Sequence, residues 1–509
     1  LRAAGVRQEE RVYIVLPDTP PFAWSFFGAL TMGGVVAMGN PVAGADSLAY
    51  VLEYSRATAL ITTPEVVDSL SEQIQHSEHL RTVLVVPNVA TGENPEQDVL
   101  SQPAWDAWKP QVQTLTAAIQ EQPSTPFADE PITRRDDLAV WLFTSGSTGR
   151  PKAAMHTHRD FAFNTEVYAK GTVQYAREDV TVSVPRLFFG YATGTNLMFP
   201  FAVGATVGLF SERPTPTSLA NAIAMYRPTV VTNVPTMMGK LLEADQQQRE
   251  QGLPGLDMSC VRFNLSAGEA LPPALLDRFT ARFPCDVYDG IGSAEMFHIY
   301  ASNRPGDIRP GSLGRVVDGY TIRILPQDAE GPGAEPVAPG ETGVMWVKGD
   351  SVALGYFQDR DKSWSTFHGH WCRTGDLFRI DEEGYLWFSG RADSMLKVSG
   401  QWVSPLEVEQ ALIAHADVSL AAAIGAEKEG LMRLKAFVIP REHALTRLVS
   451  AESTDAFRAD IKEALRSSLA FHKCPEWLVF VDDLPRNDRG KVDKKSLTEA
   501  ESRGENPWE

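Results

Sequence analysis

LAVWLFTSGSTGRPK, residues Leu138 to Lys152, is the stretch whose reading decides the fold. Its apolar run, Leu138 to Phe143, is too short for a free-standing helix and apolar enough for a buried strand. The run tips into a polar loop. Thr144, Ser145, Ser147 and Thr148 supply hydroxyls, and Lys152 adds a positive charge. Gly146 and Gly149 let backbone N–H groups approach a ligand with no Cβ in the way. A loop of this composition after a buried strand suits phosphate oxygens; the competing reading is a Ser/Gly-rich surface turn. No Gly-Lys-Ser/Thr follows Gly146 at the P-loop spacing, and the loop does not fit Gly-x-Gly-x-x-Gly. Neither a P-loop NTPase, a dinucleotide fold nor a kinase lid is indicated.

Working outward, the chain of 509 residues exceeds one compact core and suggests roughly three structural units. A hydrophobic content of 43% with 22% charged residues is ordinary for a globular protein. The net charge of -18 disfavours nucleic acid and anionic membrane as main partners, since both require a basic face. The four cysteines, Cys260, Cys285, Cys372 and Cys474, form no Cys-x-x-Cys pair, which argues against a zinc site or a disulfide framework and fits a reducing cytosol. Phe26 to Gly39 is the most apolar stretch. It falls short of the roughly 20 apolar residues that a membrane span needs.

Short apolar strands alternate with helical stretches along most of the chain. Strands are expected at Arg11–Leu16, Val83–Val86, Thr181–Phe189, Ala205–Phe210, Thr229–Thr232 and Val261–Ser266, with another running into Tyr288. Helices are expected at Phe22–Met32, Thr217–Tyr226, Pro235–Ala244 and through Phe283. The alternation predicts an α/β architecture with a largely parallel sheet, whose ligands bind beyond the carboxyl ends of the strands. Residues 186–191, 266–269 and 288–295 lie at such ends. His156 and His158 would share a face if both lay on one strand. With no cysteine or acidic partner nearby in sequence, a structural role is the better reading and no metal is assigned. From Gly343 onward the strands shorten. Beyond Gly390-Arg391-Ala392-Asp393 a separate small α+β unit is predicted, with helices at Pro405–His415 and Thr454–Leu469 and strands at Ala421–Gly425 and Leu434–Ile439.

TSGSTGRPK resembles, residue for residue, the phosphate loop of the adenylate-forming enzymes: acyl- and aryl-CoA ligases, peptide-synthetase adenylation domains and luciferases. YDGIGSAE (Tyr288–Glu295), WCRTGDL (Trp371–Leu377), GRADSMLKVSGQWVSPLEVE (Gly390–Glu409) and LPRNDRGKVDKK (Leu484–Lys495) match that superfamily in the same order, and the matches run from about Arg11 to the end of the chain. The resemblance implies a large N-terminal domain of layered α/β subdomains, residues 1–392, and a small mobile α+β C-terminal domain, residues 393–509. Because such chains usually begin further upstream, N-terminal residues are expected to be missing.

The resemblance also implies roles. Thr144, Ser145, Gly146, Ser147, Thr148, Gly149 and Lys152 would hold the nucleotide phosphates. Glu269, Asp289, Gly290 and Ser293 would line the rest of the nucleotide site, and Asp376 and Arg391 would take the ribose and phosphate. A carboxylate suits a vicinal diol because it has two acceptor oxygens. Glu295 would hold Mg²⁺. Asp393 would be the hinge, and Ser399 and Gly400 would line the coenzyme A tunnel. Lys491 would offset the repulsion between a carboxylate and a polyphosphate. Ala294 stands where the family commonly has Thr, so one hydroxyl contact is missing or relocated.

The implied reaction joins a carboxylic acid to AMP at the expense of ATP and then passes the acyl group to the thiol of coenzyme A. RLFFGYATG, LSAGEALP, DGIGSAEMFHIY and MLKVSGQWVSP resemble benzoate-CoA and related aryl-CoA ligases. In their pocket, Gly190, Tyr191, Ala267, Gly292, His298 and Ile299 would surround an aromatic ring, the small residues leaving a flat slot. A helix after Glu295 would put Glu295, His298 and Ile299 on one face. Benzoate and 2-aminobenzoate are the leading acids. A stand-alone enzyme loading a carrier-protein thiol and a non-catalytic nucleotide-binding module are the alternatives. A cytoplasmic protein is expected, and a homodimer is left open.

Overall fold

The computed structural model describes residues 1–87, 108–122, 133–145, 150–398, 401–428, 431–486 and 492–505. Gly146, Ser147, Thr148, Gly149, Ser399, Gly400 and Lys491 lie outside the described residues, as does the side chain of Ser145.

Two seven-stranded sheets form the large N-terminal part. The first has the spatial order Gln111–Thr114, Thr82–Val85, Ala59–Thr62, Arg11–Val15, Val35–Met38, Leu138–Ser145, Pro151–Thr157. All of its pairs are parallel except the last, where Leu138–Ser145 and Pro151–Thr157 run antiparallel with Thr144 opposite Lys152. The organising stretch is therefore two arms of a hairpin. Its first arm is the buried strand predicted from composition, and it runs two residues further, to Ser145.

The second sheet has the order Arg315–Val316, Ile299–Ser302, Asp286–Gly292, Phe263–Ser266, Val230–Asn233, Val180–Ser183, Thr206–Val207. Its central strands are parallel and each is buried along its length, as expected for a sheet covered on both faces. The helices Pro216–Tyr226, Pro235–Glu250 and Pro273–Arg282 each carry Pro in their first turn, where the missing N–H costs nothing. The middle helix extends well past Ala244, because the polar DQQQRE run continues it on the surface. Two expected strands are shorter than predicted. Val180–Ser183 stops before Pro185, and Thr206–Val207 is cut short between Gly204 and Gly208.

An antiparallel sheet follows, in which Gly343–Lys348 pairs Trp371–Ile380 and the latter pairs Leu386–Arg391. The small C-terminal domain packs the strands Val418–Lys428, Leu431–Pro440 and Trp477–Phe480 against the helices Pro405–Ile413 and Ala451–Ser468. The mixed α/β class, with a large N-terminal and a small C-terminal domain, is as predicted. Among the described residues no helix is long and apolar enough to cross a membrane.

Candidate active site

The hairpin arm Pro151–Thr157 carries two side chains of interest, Lys152 and His156. Lys152, at its start, holds its Nζ 3.9 Å from the centroid of the Tyr356 ring. Burial lowers the lysine's pKa from its ordinary value, and the group faces the flat side of an aromatic ring. Further along, His156 is fully buried, with Nδ1 2.7 Å from Asp160 Oδ2 and Nε2 2.6 Å from the carbonyl oxygen of Ala294. His156 is thus held at both ends and acts structurally. It does not share a strand with His158, which opens the helix His158–Asn164. That helix is closed by a capping box in which Asp160 accepts from Thr157 N–H.

Ala294 and Glu295 belong to a single 3₁₀ turn, Ala294–Met296, beyond the strand Asp286–Gly292. Glu295 Oε1 accepts a hydrogen bond of 2.7 Å from the Tyr356 hydroxyl, and the Glu295 carbonyl accepts from Ala353 N–H. The segment after Glu295 is not a helix. Phe297 instead sits at φ 71, ψ -54, and His298 N–H closes onto the Met296 carbonyl at 2.9 Å, the geometry of the rare γ-turn with positive φ. An aromatic residue tolerates this only when its surroundings hold it. The Phe297 ring is locked edge-on against Phe161 at 4.7 Å and His156 at 5.3 Å. The strand Ile299–Ser302 follows at once, so Glu295, His298 and Ile299 share no helix face.

His298 is packed among Phe199, Tyr168 and Tyr191, at centroid distances of 4.7, 5.4 and 5.7 Å. Two π-helical turns, Thr165–Lys170 and Gly194–Met198, deliver this cluster. Such turns recur at functional sites. Gly194 is required there, since a Cβ would stand 2.5 Å from the imidazole. His298 Nε2 lies 3.0 Å from the Tyr191 carbonyl, which assigns the hydrogen to Nε2 and leaves Nδ1 an acceptor. Burial lowers the His298 pKa to about 4, so the ring is neutral near pH 7. Ala267, Ile299 and Tyr191 join the same cluster.

The two glycines read as slot-formers have another cause. A Cβ on Gly292 would strike the His298 carbonyl oxygen at 2.5 Å, and one on Gly190 would meet Leu142 at 3.0 Å. Their missing side chains permit close packing of the chain against itself, while Ala267 belongs to the buried cluster that holds Ile299 and Phe199.

Tyr191 Oη, Ser293 Oγ and His298 Nδ1 are buried with no hydrogen-bond partner among the described residues, and Asp289 is buried beside Ser266, which hydrogen-bonds to it. Native proteins keep few such atoms, and a group of them marks where a ligand completes the bonding. Burial raises the Asp289 pKa to about 8, which leaves it a neutral acid at pH 7. The sign of the resulting linkage is fixed. The unfolded chain releases this proton near pH 3.8 and the folded one near 8, so stability is lost as pH rises through that window. Asp289→Asn is therefore expected to gain on the wild type by up to about 1.4 kcal/mol per pH unit between those limits. Urea midpoints of the two proteins that move in parallel from pH 5 to pH 7.5 would contradict this.

Glu269 is otherwise engaged. Its Oε2 accepts from Thr236 N–H at 3.0 Å and from Thr236 Oγ1 at 2.7 Å, at the N-terminus of the helix Pro235–Glu250. Asp376 and Arg391 are adjacent, with Arg391 Nη1 3.0 Å from Asp376 Oδ1, and the same guanidinium reaches Asp393 Oδ1 at 3.0 Å. Asp393 lies in the 3₁₀ turn Ala392–Ser394, where the antiparallel sheet ends. No group of three or more His, Cys, Asp or Glu side chains suited to a metal occurs among the described residues. One carboxylate with a free oxygen still fits Mg²⁺, which takes most of its ligands from water and phosphate. Glu295, whose Oε2 has no hydrogen-bond partner among the described residues, has this character. Tyr356, the residue that touches both Lys152 and Glu295, carries no signal in the sequence pattern.

The profile of the AMP-binding enzyme family matches residues 1–357, and that of the AMP-binding enzyme C-terminal domain matches residues 407–491. Benzoate–CoA ligase of Thauera aromatica is 36% identical over 498 residues, 97% of this chain and 87% of that one. A 4-hydroxybenzoate–CoA/benzoate–CoA ligase of Rhodopseudomonas palustris is 36% identical over 502 residues, 98% of this chain and 86% of the relative. The crystal structure of the anthranilate CoA ligase AuaEII in complex with anthranoyl-AMP superposes with a TM-score of 0.85 at 31% identity, covering 99% of this chain and 89% of that one.

Proposed function

From the premise that this chain belongs to the AMP-binding enzyme family and is an AMP-forming acid–thiol ligase, we propose that it converts a benzoate-sized aromatic acid to its coenzyme A thioester. The observation that carries the reading is the aromatic-lined imidazole of His298, whose Nδ1 and the nearby Tyr191 Oη are buried with no hydrogen-bond partner among the described residues. A flat ring between Tyr191, Ala267, His298 and Ile299 would bury apolar area against them. Asp289 and Ser266 then lie toward the adenine side of the site, and Asp376 with Arg391 toward the ribose.

In the first half-reaction the acid's carboxylate attacks the α-phosphorus of ATP, forming the acyl adenylate and releasing pyrophosphate. Lys152 and the Thr144–Gly149 loop bind the phosphates, and Lys491 lessens the repulsion as two anions meet. Bound at Glu295, Mg²⁺ would neutralise phosphate charge. In the second half-reaction the thiol of coenzyme A attacks the acyl carbon and AMP leaves. We set the domain boundary at residues 392 and 393, with Asp393 as the hinge and Ser399-Gly400 beside the incoming thiol; rotation about it would exchange Lys491 for the thiol tunnel.

The unpaired acceptor on His298 bears on which acid is used. A substituent that donates a hydrogen bond, such as an ortho amino group, would satisfy Nδ1, whereas a methyl group would leave it buried and unpaired. The test assays pyrophosphate release and free thioester with benzoate, 2-aminobenzoate, 2-methylbenzoate and acetate. We expect the aryl acids to exceed acetate by at least about 100-fold in kcat/KM. We also expect 2-aminobenzoate to exceed 2-methylbenzoate by about tenfold, a preference lost in His298→Leu. Equal use of acetate and benzoate would refute the aryl reading. A preference retained in His298→Leu would refute the role of Nδ1 alone.

A further inference from the structure

Lys152 and Glu295 have opposite charges and separate tasks. The ammonium is needed by phosphate oxygens and the carboxylate by a metal ion. Two such groups within reach of one another tend to pair, and a pair formed between them would hide both from the nucleotide. No ion pair within 4 Å joins them among the described residues. Each instead contacts a different part of Tyr356: Lys152 Nζ stands 3.9 Å from the ring centroid, and Glu295 Oε1 accepts from the hydroxyl at 2.7 Å.

The ring is well anchored for this. Tyr356 is 5% exposed, and its backbone bridges to Ala154 on the hairpin arm that carries Lys152. Met155 N–H donates to the Gly355 carbonyl and Phe357 N–H to the Ala153 carbonyl, so the segment runs as a short extra strand beside that arm. Tyr356 N–H donates to Ser363 Oγ at 2.9 Å, and the ring packs against Phe367 at 5.2 Å. Ala353 N–H donates to the Glu295 carbonyl, which stitches the same segment to the turn that bears the carboxylate. One donor on Oε1 fixes the plane of the carboxylate and leaves Oε2 without a protein partner among the described residues.

We propose that Tyr356 is a positioning residue with two functions: its ring keeps the Lys152 ammonium apart from Glu295, and its hydroxyl orients the Glu295 carboxylate toward the metal that accompanies the nucleotide. The second function rests on the reading of Glu295 given above. The first rests only on Lys152 binding phosphate.

The test compares wild type with Tyr356→Phe, Tyr356→Leu and Glu295→Gln. Two measurements are made: equilibrium binding of ATP by calorimetry, with and without metal, and binding of Mn²⁺ as the ATP complex by its electron paramagnetic resonance signal. Tyr356→Phe keeps the ring. It should bind metal-free ATP as wild type does, yet bind the Mn²⁺ complex about tenfold more weakly. The Mg²⁺ needed for half-maximal pyrophosphate release should rise about tenfold, with the KM for the aryl acid unchanged. Tyr356→Leu removes the spacer, and here metal-free ATP should also bind about tenfold more weakly, because Lys152 closes onto Glu295. The double variant Tyr356→Leu/Glu295→Gln should recover that metal-free affinity, which a merely damaged fold would not do. If Glu295→Gln weakens Mn²⁺ binding but Tyr356→Phe does not, the orienting role is overturned while the reading of Glu295 stands. If Glu295→Gln itself binds Mn²⁺ normally, the metal reading falls and the orienting role with it. Metal-free binding to Tyr356→Leu equal to that of Tyr356→Phe overturns the spacer role.

Discussion

Lys491→Ala is expected to lower adenylate formation by about 10²–10³-fold while leaving thioester formation from preformed aryl adenylate within a fewfold of wild type. The asymmetry follows from where the charge is needed. A carboxylate and a polyphosphate repel until bond formation spreads their charge, and an ammonium between them acts on that step alone. In the second half-reaction a thiol meets a carbonyl carbon, and the lysine has no anion pair to bridge. Pyrophosphate release and single-turnover conversion of synthetic aryl adenylate separate the two steps. Equal losses in both would make Lys491 a structural residue.

The second large effect concerns the ring site. Ala267→Phe should reduce benzoate activation by more than about 100-fold and leave ATP affinity nearly unchanged. Ala267 is buried in the cluster that holds Ile299 and borders Tyr191, at the carboxyl end of the strand Phe263–Ser266. A phenyl group there would occupy the volume assigned to the substrate's ring. The proposed nucleotide contacts at Lys152, Asp376 and Arg391 lie on other elements. ATP binding by calorimetry doubles as the check that the variant is folded. Full benzoate turnover in this variant would move the acid to another part of the molecule.

Much of this was legible in the residues themselves. The run Leu138–Phe143 is apolar on both faces, which only a covered strand accommodates, and the loop after it has the composition of a phosphate site. The parallel strands Val230–Asn233 and Phe263–Ser266 were equally plain, each a short apolar run between turn signals. Less legible were elements whose ends depend on their neighbours. The expected strand through Phe189 stops at Ser183, just before Pro185, which has no N–H to offer a ladder. After Glu295 the chain makes a γ-turn at Phe297, a conformation that no local preference favours and that packing against Phe161 and His156 holds in place.

By itself, then, the sequence determined the order of strands and helices, the α/β class and the residue types available for an acid, a nucleotide and a thiol. Those depend on periodicity, composition and short motifs, which act over a few neighbouring residues. Only the tertiary structure decided which groups meet. His156 reaches the Ala294 carbonyl across 138 residues, and Tyr356 reaches Glu295 across 61. It also decided that Gly292 and Gly194 make room for His298, as its backbone and its ring respectively, and that burial holds Asp289 and His298 neutral. The physical reason is the same in each case. Desolvation and hydrogen bonding depend on what the packed chain places within a few ångströms, and separation along the sequence does not encode that distance.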